Sequence, residues 1–201
     1  MKKVRSPRPI GRNIAMELVR ITEAAALAAA HYMGMGDKDL VDQAAVDAMR
    51  TTLNHTRIDG VVVIGEGEKD QAPMLYIGES VGDGVGLQVD VAVDPIDGTK
   101  LLARGLPGAI SAVALSARGT MNCPRQFVYM NKIVVGREAR GVIDINATVA
   151  DNLINIARAK KRKLPEITVV VLDRPRHEQL LAEIREAGAR VKLISDGDVA
   201  A

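Results

Sequence analysis

Val89-Asp90-Val91-Ala92-Val93-Asp94-Pro95-Ile96-Asp97-Gly98-Thr99 is the stretch from which the rest of the chain is best read. Val89 to Val93 has the short, largely apolar character of a strand buried on both faces, and it stops on Asp94-Pro95. Pro95 removes a backbone donor and stiffens the turn, Asp97 follows three residues after Asp94, and Gly98 permits close backbone approach. Such a turn can aim two carboxylates at one point. A helix beginning near Thr99 would direct its first N–H groups to the same place, which suits a phosphate.

Upstream, Val61-Val62-Val63-Ile64 is a second apolar strand, and it ends in Gly65-Glu66-Gly67-Glu68 with Asp70 beyond. Two strands that both stop on carboxylates gather like charges at one sheet edge, where they repel unless a cation intervenes. Hard oxygen donors of this kind favour Mg2+ or Mn2+ over zinc. Earlier still, Ile14, Leu18, Ile21, Ala25 and Ala28 recur at helical spacing, and the Ala-rich run to Tyr32 predicts one long helix that Gly34 and Gly36 stop. Asp39 is the expected N-cap of a second helix through Val41, Ala45, Met49 and Leu53, with Asp42 in its first turn. The helix dipole explains a carboxylate there as well as a ligand role does.

Downstream, Ala109 to Ala117, Lys132 to Val135 and Val142 to Ile145 read as strands, and Val149 to Ala159 as a helix. Lys160 to Lys163 reads as a solvated helix end. Ile167 to Leu172, His177 to Ala187 and Val191 to Ile194 form a strand, helix and strand unit. It predicts a parallel pair whose C-terminal edges carry Arg174-Pro175-Arg176 and Asp196-Gly197-Asp198. The Pro- and Arg-rich residues 1–12 are expected to be a loose arm.

Composition narrows the class. Of 201 residues 47% are apolar but only 2% aromatic, so the core is aliphatic and stacking platforms for nucleic-acid bases are nearly absent. Basic and acidic residues number 27 and 25, a balance that argues neither for a polyanion-binding surface nor for an acidic tail. The single Cys123 fits a reducing compartment and excludes an internal disulfide. No signal-peptide or membrane-spanning pattern is present. The expectation is a soluble, cytoplasmic protein that binds neither nucleic acid nor membrane. Cys123 and His31, His55 and His177 form no recognisable nucleophile and base pair, and His31 and His55 read as structural.

The Glu66 turn followed by Asp94-Pro95-Ile96-Asp97-Gly98-Thr99 resembles the signature of the inositol monophosphatase and fructose-1,6-bisphosphatase superfamily of lithium-sensitive phosphatases. Gly36-Asp37-Lys38, Ile64 to Glu68, Ala72 to Glu79, Tyr129-Met130, Pro175-Arg176-His177 and Asp196 to Ala201 narrow the resemblance to the bacterial class II fructose-1,6-bisphosphatases, in order and at near-matching spacing. It covers nearly the whole chain after Gly11.

The resemblance implies metal-assisted, in-line hydrolysis of a phosphate monoester with Mn2+ or Mg2+. Asp42, Glu66, Asp94 and Asp97 would be the metal ligands, with Asp94 shared between ions; Asp97 stands where many class II members have Glu. Glu68, Asp70 and Thr99 would orient or deprotonate the attacking water, and Gly98 and Thr99 would hold the scissile phosphate. Tyr129, Arg174, Pro175, Arg176, Asp196, Gly197 and Asp198 would meet the sugar and the remote phosphate, with Lys38 near a phosphate. The implied substrate is fructose 1,6-bisphosphate, hydrolysed at its 1-phosphate, or also sedoheptulose 1,7-bisphosphate, in gluconeogenesis or carbon fixation. A superfamily phosphatase for an inositol or nucleotide phosphate, and a silent sugar-phosphate-binding or assembly module, are the rival readings. The implied fold is a layered α-β-α-β-α sugar-phosphatase arrangement, cut short at the C-terminus, in a homo-oligomer (dimer or tetramer). Its expected parts are a metal-binding α/β unit over 13–148 and the start of a substrate-binding unit over 149–201.

Overall fold

Asn13 caps the first helix, its Oδ1 accepting the Ala15 N–H at 3.0 Å, and α1 runs over Ile14–Ala30. The computed structural model describes residues 13–66, 75–124, 129–199 and 201. The arm over 1–12, and Glu68 and Asp70, lie outside the described residues.

The second helix, α2, covers Lys38–Asn54 and is capped by Asp37, whose Oδ1 accepts the N–H groups of Asp39 and Leu40 at 3.0 and 3.1 Å. The cap is thus Asp37 and not Asp39, because Asp37 holds the extended backbone from which its oxygen can reach forward. The shift puts Asp42 in the second turn. A helix dipole acts mainly within the first turn, so it no longer suffices to explain that carboxylate.

Ile21, Ala25 and Ala29 of α1 and Val41, Ala45, Met49 and Leu53 of α2 are fully buried in one aliphatic cluster with the sheet. That sheet holds β1 (Ile58–Ile64), β2 (Ser80–Val81), β3 (Leu87–Asp97) and β4 (Ile110–Ala117), in the order β2-β1-β3-β4. β1 and β3 are parallel, and the other neighbours antiparallel. Val62, Val91 and Val93 direct the apolar face inward.

β3 does not stop at Asp94. Its ladder with β4 pairs Asp94 with Ala112 and then Asp97 with Ile110, so three steps on one strand match two on the other. This bulge spans Pro95-Ile96, where the missing proline N–H costs no ladder bond, and it re-aims the side chains that follow. The one-turn helix α3 (Thr99–Ala103) comes next.

Contacts divide the chain after Cys123, into units Met1–Cys123 and Pro124–Ala201. In the second unit α4 (Val149–Ala159) and α5 (Glu178–Glu186) bury Leu153, Ala157, Leu181 and Ile184 with Val171 of β5 (Thr168–Leu172). β5 and β6 (Arg190–Ile194) pair in parallel from Thr168↔Arg190 to Leu172↔Ile194.

The strands expected at Lys132 to Val135 and Val142 to Ile145 are not present among the described residues. Val134 is 91% exposed, and an apolar run without a partner strand gains nothing from extending. The second segment is tied down as a loop instead. Buried Asn152 donates to the Asp144 carbonyl at 2.8 Å and accepts the Asp144 N–H at 2.9 Å, which joins 142–148 to α4. By contacts, residues 124–148 thus group with the second unit. The mixed α/β character read from the sequence is the one found. Among the described residues no helix is long and apolar enough to cross a membrane.

Candidate active site

The parallel register of β1 and β3 pairs Ile64 with Ala92. Two residues further on stand Glu66 and Asp94, so the ladder itself brings the two carboxylates to one edge of the sheet. α2, packed on β3, brings Asp42 from a third segment. The electrostatics record their proximity. Burial first, and then the charges of Asp94 and Asp42, push the Glu66 carboxyl up to about 7 from an ordinary value of 4.5.

Asp42 is also joined to the motif directly. The Thr99 hydroxyl lies 2.7 Å from Asp42 Oδ1 and 3.1 Å from the Ile96 carbonyl, so it is oriented by both. Asp94 Oδ1 is shut off from solvent, and Asp97 is 7% exposed. Gly98 has φ +92°, and a Cβ there would lie 3.2 Å from Leu101 Cδ1 and 3.3 Å from Ala109 Cα. Both the left-handed backbone and the space require glycine. The amides that open α3 follow at once.

Among the described residues no three His, Cys, Asp or Glu side chains converge closely enough to enclose a metal ion. Asp42 and Asp94 stand within electrostatic range of Glu66. One Asp42 oxygen is engaged by Thr99. The donor set nonetheless suits a hard divalent cation: it is all carboxylate oxygen, and its repulsion is the kind that a cation relieves.

In the second unit, Leu172 and Ile194 are register partners, and Arg174 and Asp196 stand two residues beyond them. Arg174 Nη2 is 3.7 Å from Asp196 Oδ1, and Nη1 donates to the carbonyls of Ser195 and Asp173 at 2.7 and 2.9 Å. Pro175 opens a 3-10 turn, Pro175–His177. Arg176 stacks over the exposed Tyr129 ring, 4.5 Å from its centroid. Gly197, at φ +76°, is buried, and Asp198 is exposed. Lys38 projects into solvent beside Asp39 at 3.2 Å. His55 and His177 each direct Nδ1 to a main-chain carbonyl of their own segment, those of Thr51 and Leu172, at 2.7 Å.

One pair of residues beside the site was not singled out from the sequence. Arg50 on α2 and Glu79, which leads into β2, form a two-bond ion pair across 29 positions. Only the spatial meeting of the two segments reveals it.

Residues 12–201 match the family described as bacterial fructose-1,6-bisphosphatase, glpX-encoded. Over 191 residues the chain is 51% identical to fructose-1,6-bisphosphatase 1 class 2 of Escherichia coli (strain K12), an alignment covering 94% of this chain and 56% of that protein. The same identity and coverage hold for the fructose-1,6-bisphosphatase class 2 proteins of Escherichia coli O6:H1 and Shigella flexneri. The chain thus spans a little over half the length of these relatives. With a match from end to end of the described residues, this chain belongs to the glpX-encoded bacterial fructose-1,6-bisphosphatase family.

Proposed function

We propose that the protein hydrolyses the 1-phosphate of fructose 1,6-bisphosphate, giving fructose 6-phosphate and inorganic phosphate, with Mn2+ or Mg2+ held by Glu66, Asp94 and Asp42 and by Asp97. The observation that carries this reading is the meeting of carboxylates from separate elements: the β1–β3 register sets Glu66 beside Asp94, and Asp42 of α2 accepts from Thr99 of the same motif. Folding does not collect like charges at a strand edge for stability's sake. A divalent cation, when bound there, supplies a nucleophilic water at neutral pH and neutralises phosphoryl charge.

The chain's own groups do the rest. The Thr99 hydroxyl donates to Asp42 Oδ1 at 2.7 Å, which leaves its oxygen lone pairs to accept from the O–H of an attacking water. Gly98 lets the backbone come close to a phosphoryl group, and the α3 amides that follow present N–H donors to it. Glu68 and Asp70 are assigned, with Thr99, to the attacking water. Tyr129, Arg174, Pro175, Arg176, Asp196, Gly197 and Asp198 are assigned to the sugar and remote phosphate. The stacking of Arg176 on Tyr129 supports that assignment, since it holds beside the ring a guanidinium, a group suited to pairing with phosphate. Lys38, with its side chain in solvent, has the weakest support. A homo-oligomer working in the cytoplasm is the assembly and setting proposed.

Release of phosphate from fructose 1,6-bisphosphate with Mn2+ or Mg2+, and its loss in Asp94→Ala, is the test. No phosphate from any sugar bisphosphate with either metal contradicts the proposal. A second reading, a sugar-phosphate-binding module without turnover, is favoured by one observation: no three ligands converge among the described residues. Calorimetry that detects binding of the bisphosphate where no phosphate is released selects it.

A further inference from the structure

Arg50 sits eight residues after Asp42 on α2, a little over two turns along the same helix. Its Nε donates to Glu79 Oε1 at 2.7 Å and its Nη2 to Oε2 at 3.3 Å, with Asp47 at 3.8 Å from Nη1. The Arg50 and Glu79 side chains are only 27% and 12% exposed, so this is not one of the solvent-screened surface pairs that contribute little. The hydrogen bond to Glu79 raises the Arg50 pKa, and the guanidinium stays charged throughout.

Glu79 passes the restraint on. Its Oε2 also accepts the Tyr76 N–H at 3.2 Å, and its own N–H donates to the Tyr76 carbonyl at 3.0 Å, which closes the 76–79 turn. Just before this turn the fully buried Leu75 offers its carbonyl to the Glu66 N–H at 3.1 Å. At the other end the Glu79 carbonyl accepts the Val62 N–H at 2.9 Å. The Leu75 carbonyl lies so close to Gly65 that a Cβ there would run into its oxygen.

We propose that Arg50 is a positioning residue for Glu66. Through Glu79 it fastens the 75–79 turn to α2, and the turn fixes the backbone from which Glu66 projects. Because α2 also carries Asp42, one rigid helix sets the spacing of two carboxylates that arrive from different segments. The functional consequence rests on the metal-site reading above; the positioning itself does not.

The test measures amide hydrogen exchange across the unit and Mn2+ binding by electron paramagnetic resonance, in the parent chain and in Arg50→Ala, Arg50→Lys and Glu79→Gln. In Arg50→Ala the Glu66 amide exchanges about tenfold faster or more, while the α1 and β4 amides keep their rates. Mn2+ affinity falls by roughly tenfold to a hundredfold, the usual cost of losing a residue that supports a ligand. Arg50→Lys, which keeps the charge and one bond, recovers part of both. Glu79→Gln, of the same shape, gives the same pattern and serves where Arg50→Ala does not fold. Unchanged Glu66 exchange, or exchange that rises evenly over the whole unit, overturns the proposal. If the parent chain binds no Mn2+, the metal-site reading fails and the local exchange result alone decides the positioning.

Discussion

The two units use one piece of geometry to opposite effect. In each, the ladder between two parallel strands ends on register partners, Ile64↔Ala92 in the first and Leu172↔Ile194 in the second, and each chain segment carries a charged residue two positions further on. In the second unit those residues are Arg174 and Asp196, which neutralise one another at 3.7 Å. In the first they are Glu66 and Asp94, both acidic, and the result is a Glu66 carboxyl pushed up to about 7. Strand-end geometry is thus indifferent to charge, and the sequence placed on it decides whether the edge closes on itself or stays open to a cation. Asp90, buried in the middle of β3, makes the same point within one strand. It is held below the usual carboxylate range by the backbone N–H groups of Gly119 and Met121, with Arg118 nearby at 3.8 Å. A carboxylate that the fold wants merely buried is given donors; Glu66 is given more carboxylates.

Breaking the unlike halves of this comparison has graded consequences. The largest is on catalysis: Asp94→Asn keeps the shape but removes one charge of the like-charge pair, and phosphate release falls by about a thousandfold or more, read in a phosphate assay. The same variant is as stable as the parent, or more so, in metal-free thermal unfolding, because it removes repulsion. A large loss of stability would show that Asp94 is a structural residue.

The next effect is on pH. The Glu66 carboxyl titrates near 7 in the folded chain against about 4.5 when unfolded, so the folded state holds the extra proton between those values. Stability without metal is therefore highest at and below about pH 4.5 as far as this group is concerned, declines as pH rises, and has lost the full contribution above about 7. With allowance for solvent around a half-buried group, the loss is on the order of 1–2 kcal/mol. Glu66→Gln removes that slope, and Mn2+ offsets it in the parent. Urea unfolding at a series of pH values measures both, and an identical slope in Glu66→Gln would refute the assignment.

The smallest effect belongs to the self-neutralised edge. A double-mutant cycle on Arg174→Ala and Asp196→Ala gives a coupling below about 1 kcal/mol, as for other partly exposed pairs at this distance. A larger value would mean that the second edge is as strained as the first.

Much of this could be read before any coordinates, because it depends on local sequence. The apolar runs at Val61 to Ile64 and Val89 to Val93 announced their strands, and the Ala-rich and Val41-to-Leu53 periodicities announced the helices that cover them. What failed depended on partners. Lys132 to Val135 and Val142 to Ile145 have strand composition but no strand to pair with, and Asn152 claims the backbone near Asp144 instead. Asp37 displaced Asp39 as the cap through a backbone angle that composition does not encode. For the site, the acidic turns were visible as motifs, but the adjacency of Glu66 to Asp94 needs the register. The Thr99 bond to Asp42 and the Arg50 pair with Glu79 join positions 57 and 29 residues apart, which no periodicity reports.

Anomalous diffraction from crystals of this chain grown with Mn2+ addresses the metal site most directly. The expected result is a manganese peak just beyond the end of the β1–β3 ladder, with oxygens of Glu66 and Asp94 as ligands. Well-ordered Glu66 and Asp94 side chains at saturating Mn2+ with no peak between them would contradict it.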